Sequence, residues 1–136
     1  MTDADVQEFV TRFAAAWAAR DGEAFLALWH PDRVLHSPLY DRLVIGKEPG
    51  RLTEMVRETA PDHVWQLLDW TARGDVVIVE WQATRTAGGR RFDWRGVDKF
   101  QLRDGRIAEE WVYFDTAPIR AARTGSPAEA MIRLDP

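Results

Sequence analysis

The run DWRGVDKFQLRDGRIAEEWVYFDT, residues 93–116, constrains the fold more than any other stretch of the chain. Two segments rich in β-branched and aromatic residues flank Asp104-Gly105, a dipeptide suited to the positive φ angles of a two-residue hairpin turn. In a regular hairpin of this kind Lys99 pairs with Glu110, Val97 with Val112 and Arg95 with Phe114. These six share one face, while Phe100, Leu102, Ile107, Trp111 and Tyr113 share the other. The first face gathers a cation, a carboxylate and an aromatic ring among apolar neighbours, which is what a ligand pocket needs. A bulge near the turn would slip the register and direct Asp98, Glu109, Trp111, Tyr113 and Asp115 inward instead.

Upstream, Val6, Phe9, Val10, Phe13 and Trp17 recur at helical spacing behind Thr2, so residues 3 to about 19 read as an amphipathic helix. Asp21 caps a second, shorter helix carrying Ala24, Phe25, Leu28 and Trp29, which His30-Pro31 ends. Residues 34–40 read as a short strand and residues 46–59 as a third helix stopped by Pro61. Two hairpins follow, residues 63–71 with 76–86 across Gly74-Asp75, then residues 90–101 with 107–115. Helices first and long antiparallel strands afterwards predict an α+β domain: a cone-shaped, curled sheet packed against three N-terminal helices. The domain is expected to span residues 1–118. Residues 119–136, with prolines and many small side chains, read as a loosely structured C-terminal tail.

The 136 residues suit one domain, and 46% hydrophobic content supplies a core. Net charge is −4 with the arginines scattered among acids, so no basic footprint for nucleic acid is present. The absence of cysteine excludes disulfides, thiolate metal sites and a cysteine nucleophile. No membrane span or leader pattern is visible, and the expected location is the cytoplasm. Ala87-Gly88-Gly89 lies between strands rather than before a helix and serves a turn, not a phosphate. Ser37 and Ser126 lack the strand–turn–helix setting of a hydrolase nucleophile. His30, His36 and His63 fall on different elements at irregular spacing, so no metal site and no cofactor are expected. His36 stands at the expected mouth of the cavity, where an imidazole can exchange protons near neutrality. Glu110, beside Val112, is a base made more proton-avid by desolvation, with Lys99 as its expected cross-strand partner.

The tetrapeptide Trp29 to Asp32, the strand VLHSP, the helix after Gly46, and the segments GDVVIVEWQATRT, RGVDKFQLRDGRI and EEWVYFD resemble the SnoaL-like polyketide cyclases. That group sits in the nuclear-transport-factor-2-like superfamily with ketosteroid isomerase and limonene epoxide hydrolase. The resemblance implies a small-molecule pocket inside a curled sheet. It also implies cofactor-independent isomerase, cyclase or lyase chemistry on a small apolar carbonyl compound. Most of the superfamily's functional residues are replaced, however. The isomerase's tyrosine and its aspartate base fall on Phe13 and Ser37, and its second oxyanion acid near Arg95. The epoxide hydrolase's arginine and aspartate fall on Trp81 and Ala83, and the last-strand aspartate on Val112. The unslipped hairpin agrees with this alignment. It leaves Glu110, His36 and Arg95 as candidate catalytic residues inside walls of Phe13, Trp17, Ser37, Trp81, Val97, Val112 and Phe114. The alternative is a non-catalytic module of the same fold that binds a hydrophobic ligand or dimerises. Under the unslipped register Trp94, Phe100, Trp111 and Tyr113 form an outer aromatic patch, which predicts a homodimer through that surface.

Overall fold

The computed structural model describes residues 1–124 and shows a mixed α+β domain. Helix α1, Asp3–Ala19, begins in a capping box: the Thr2 side chain accepts from the Asp5 N–H, and the Asp5 carboxylate accepts from the Thr2 backbone. Its apolar stripe of Val6, Phe9, Val10 and Phe13 is buried. Helix α2, Gly22–Leu26, is capped by Asp21, whose side chain accepts from Glu23 and Ala24. Strand β1, Trp29–His36, starts earlier than expected and carries Pro31, at which its pairing is irregular. A two-residue strand β2, Val44–Ile45, leads into α3, Glu48–Thr59. The long strands are β3, Val64–Arg73, β4, Val76–Ala87, β5, Arg90–Arg103, and β6, Arg106–Phe114.

The six strands form one curled, unclosed sheet in the order β2-β1-β6-β5-β4-β3. All neighbours are antiparallel except β1 and β6, which run parallel. Helix α1 lies in the concavity, where Phe9 and Phe13 pack on Phe100 at ring distances of 5.3 and 5.0 Å. Helices α2 and α3 cross closely because Gly22 and Gly50 face each other: a β-carbon on either would collide with the other's carbonyl. That crossing holds Pro49, Leu52, Thr53 and Val56 of α3 over the open end of the sheet.

Two further features depart from the sequence expectation. Residues 117–124 form a fourth helix, α4, rather than a loop. Its Ile119 is buried against the sheet, and the expected boundary at residue 118 falls inside it. The remainder of the expected tail lies outside the described residues. The second departure is the register of the central hairpin. Arg103 pairs with Arg106 and Leu102 with Ile107, as in a regular two-residue turn, but Gln101 then pairs with Glu109, leaving Ala108 as an extra residue. Beyond this bulge Phe100 faces Glu110, Asp98 faces Val112 and Gly96 faces Phe114. The cause is burial. A regular register puts Phe100, Leu102 and Ile107 on one face and Val112 and Phe114 on the other. The bulge lets both groups point inward, and Phe100, Leu102 and Ile107 are all at most 2% exposed. Each large side chain buried is worth about 1.5–3 kcal/mol, well above the loss of one ladder hydrogen bond of about 1 kcal/mol.

Candidate active site

The bulge decides which side chains meet in the concavity. On β6 the alternation after Ala108 directs Glu110, Val112 and Phe114 inward, and on β5 it directs Trp94, Gly96, Asp98 and Phe100 inward. Glu110 and Asp98, each 4% exposed, therefore stand as diagonal neighbours and share a hydrogen bond between their carboxyl groups. Trp81 on β4 reaches across the strand to donate its indole N–H to Asp98 Oδ1 at 2.8 Å. The indole has room because residue 96 is glycine: a β-carbon there would collide with the six-membered ring of Trp81.

These carboxyl groups open onto a cavity of about 150 Å³. Aromatic rings form much of its wall: Trp17 and Phe25 from the helices, Trp65, Trp81, Trp94 and Phe114 from the sheet. Leu35, Ser37 and Tyr40 close it on the β1 side and Ile119 on the α4 side. In this dry setting ionisation is costly. Burial, then the charge of Asp98 and the hydrogen bond to it, hold the Glu110 carboxyl well above the ordinary glutamate range. Burial pushes Asp98 up to about 6, although the hydrogen bonds from Trp81 and Glu110 favour its charged form. Both carboxyl groups are thus held above their ordinary range, each favoured in its neutral form by burial. Glu110 is the acid member and Asp98 the carboxylate that accepts from it. A proton donor and a proton acceptor side by side in an apolar cleft can protonate one atom of a bound molecule and deprotonate another.

The structure brings together only part of the expected site. Glu110, Trp17, Ser37, Trp81, Val112 and Phe114 line the cavity. Phe13 does not; it lies beneath, 1% exposed, in the core contact with Phe100 and Trp65. His36 is corrected to the opposite face. Leu35 takes the inward position of β1, so its neighbour turns outward, stacks on Trp111 at 5.1 Å and places Nε2 2.6 Å from Glu109 Oε1. Arg95 and Val97 are corrected likewise, since the bulge gives the inward positions of β5 to even-numbered residues and leaves Arg95 exposed. Lys99 does not pair with Glu110; its ammonium lies 4.9 Å over the Trp111 ring on the outer face. Trp94 and Phe100 leave the expected outer patch for the cavity wall and the core, so only Trp111 and Tyr113 of that group remain outside.

Asp98, His63, Arg85 and Trp94 line the cavity with polar groups that the expected site did not include. The slipped register named Asp98 but turned the wrong residues of β6 inward. Gly96 was the available signal: a glycine inside a long strand marks the face approached by a bulky side chain, and that face includes Asp98. His63 is buried, and burial, with the positive Arg85 and Arg20 beside it, lowers its pKa to about 4, so the imidazole is neutral. Among the described residues no cluster of three or more histidine, aspartate or glutamate side chains is assembled that could hold a metal ion. No described helix is long and apolar enough to cross a membrane.

The SnoaL-like domain family matches residues 10–110, from the buried face of α1 to Glu110 itself. The chain belongs to this SnoaL-like family. Solved structures share its fold over nearly the whole length. AclR of Streptomyces galilaeus, provisionally called a hydroxylase, is 23% identical with a TM-score of 0.78, covering 96% of this chain and 91% of its own. IdmH of Streptomyces antibioticus, provisionally called a polyketide cyclase, is 23% identical with a TM-score of 0.71, covering 87% of this chain and 97% of its own. A protein of Catenulispora acidiphila with a ketosteroid isomerase-like fold, solved with trimethylamine, is 19% identical with a TM-score of 0.77, covering 92% and 98%. No curated protein matches the chain. The SnoaL-like fold is thus common to this chain and to small-molecule pocket proteins that include a provisional cyclase.

Proposed function

We propose that this SnoaL-like protein is a cofactor-independent acid–base catalyst acting on a small, largely apolar carbonyl compound, with Asp98 and Glu110 as the proton-moving pair. The observation that carries the reading is the hydrogen-bonded pair of buried carboxyl groups in an aromatic cavity. Asp98, held by the Trp81 N–H, removes a proton from the carbon next to the carbonyl. Glu110 turns its proton from Asp98 to the carbonyl oxygen and stabilises the enolate as charge develops there. Return of a proton to a different carbon completes an isomerisation, and attack of the enol carbon on a second carbonyl forms a ring, the proton taken up by Asp98 passing to the new alkoxide while the enol oxygen returns its proton to Glu110. Neither outcome needs a group beyond the two carboxyls and the walls that exclude water. His36 and Arg95, on the outer face, take no part in this scheme.

The test is solvent deuterium incorporation into aromatic β-ketones, followed by NMR. Acceleration by the native protein, lost by roughly 100-fold or more in Glu110→Gln and Asp98→Asn, is the expected result. Binding of the same ketones with no acceleration favours the second reading, a hydrophobic-ligand-binding module. That reading draws support from Phe13, Ser37, Trp81 and Val112, which stand where the superfamily's enzymes carry functional side chains. The outer Trp111 and Tyr113 further support the proposal that the protein acts as a homodimer.

A further inference from the structure

The cavity has a second polar end. His63 is 5% exposed, yet its Nδ1 is shielded from solvent and finds no hydrogen-bond partner among the described residues. The Trp94 Nε1–H is in the same condition. The two rings are 5.6 Å apart, and both belong to the cavity wall. Arg85 lies along this wall too, with its guanidinium carbon 5.3 Å over the Trp94 ring. Buried, unpaired nitrogens are expensive to maintain in a folded protein, and two of them in ring contact beside a cation mark a place where a ligand atom completes the bonding. Their position is fixed from both sides. The His63 backbone N–H donates to the Ala60 carbonyl at the end of α3, and the neighbouring Asp62 carboxylate accepts from the Thr86 backbone N–H of β4.

Trp81 stands between this cluster and the carboxyl pair: it holds Asp98 through its N–H and meets Trp94 edge to face at 6.4 Å. The cavity therefore runs from an acidic end, past two indole faces, to an end with a donor-only indole, a neutral imidazole and a guanidinium. A carbonyl suits the first end and a flat apolar body suits the middle. The other end suits an oxygen acceptor that carries negative charge.

We propose that His63, Trp94 and Arg85 form a recognition station for an acidic oxygen anion, a carboxylate or a phenolate, at the far end of a flat aromatic substrate whose reacting carbonyl meets Asp98 and Glu110. The station rests on the reading of this cavity as a small-molecule site, but it concerns binding and not turnover. Isothermal titration calorimetry at pH 8 compares 2-naphthoate with 2-naphthamide, for a carboxylate, and 4-nitrophenolate with 4-nitroaniline, for a phenolate. A preference of about tenfold for the charged member of either pair is expected, and the pair that shows it identifies the oxygen's source. Trp94→Phe and Arg85→Gln each reduce that preference. In the wild-type protein the favoured anion shifts the Nδ1 resonance of ¹⁵N-labelled His63, a readout that needs no variant to fold. Equal affinity within both pairs, or a preference untouched in both variants with an unmoved His63 resonance, overturns the station. Absence of proton exchange at the carboxyl pair leaves this result standing, so the two failures are separable.

Discussion

Glu110 is a glutamate whose proton belongs to the fold. Because its native pKa lies above the unfolded value, the native state binds more protons than the unfolded chain between the two values. Stability contributed by the neutral carboxyl is present at low pH and falls as pH rises through that window, by about 1.4 kcal/mol for each unit of separation. Asp98 acts in the same direction between the ordinary aspartate value of 3.8 and about 6. His63 opposes both, since its lowered pKa makes stability rise between about 4 and 6.5. The native pH curve thus mixes opposite slopes, and substitution separates them. Gln mimics the protonated glutamate and cannot ionise, so Glu110→Gln melts at a higher temperature than the native protein at pH 8. The gap closes towards pH 4; a gap independent of pH in differential scanning calorimetry contradicts the buried, protonated state. The same burial makes infrared difference spectroscopy informative: a protonated carboxyl band persists to higher pH in the native protein than in Glu110→Gln.

At the scale of elements, periodicity made α1, the two β-hairpins and the inward face of β6 legible from the sequence. The partner face of β5 was not legible. Turn chemistry at Asp104-Gly105 specifies pairing only until the first irregularity, and Ala108, which carries the bulge, has no side chain that announces it. The bulge is selected by tertiary burial of Phe100, Leu102 and Ile107 beneath α1, information absent from either strand alone. His36 was misplaced because Pro31 near the start of β1 disturbs its pairing, so inward and outward positions could not be counted from its end. Helix α4 was missed because Pro118 and the small residues around it resemble a loop, whereas Ile119 anchors it to the sheet. Gly96 joins these levels. Gly96→Ala pushes the Trp81 ring away, and overpacking of this kind costs about 1–3 kcal/mol, readable as a lower urea midpoint. It also weakens the hydrogen bond from Trp81 to Asp98, so the aspartate titrates above 6 in an NMR pH series. An unchanged Asp98 titration in a destabilised variant shows that Trp81 only fills space.

For the whole molecule, the outer face of the sheet is the surface with most left to explain. Tyr113 is 56% exposed there, next to a stack in which Trp111 is covered by His36 on one side and approached by Lys99 on the other. The Glu109 carboxylate accepts a hydrogen bond from His36 Nε2, so the centre of the face carries a bonded imidazole and carboxylate around an indole rather than a field of like charge. Leu43 and Ile45, 49% and 52% exposed at the β2 edge, extend the apolar area. An outer sheet face with aromatic residues at its centre and polar groups bonded to one another around them is suited to a second copy related by a two-fold axis. The protein is therefore expected to sediment as a dimer at micromolar concentration. Tyr113→Lys, which sets like charges against each other across that axis near Lys99, shifts the equilibrium to monomer by roughly tenfold or more in analytical ultracentrifugation. Because Tyr113 points away from the cavity, the same variant keeps the affinity for aromatic ligands measured with the native protein. A native protein that sediments as a monomer, or a Tyr113→Lys dimer of undiminished stability, removes the outer face from consideration as the interface.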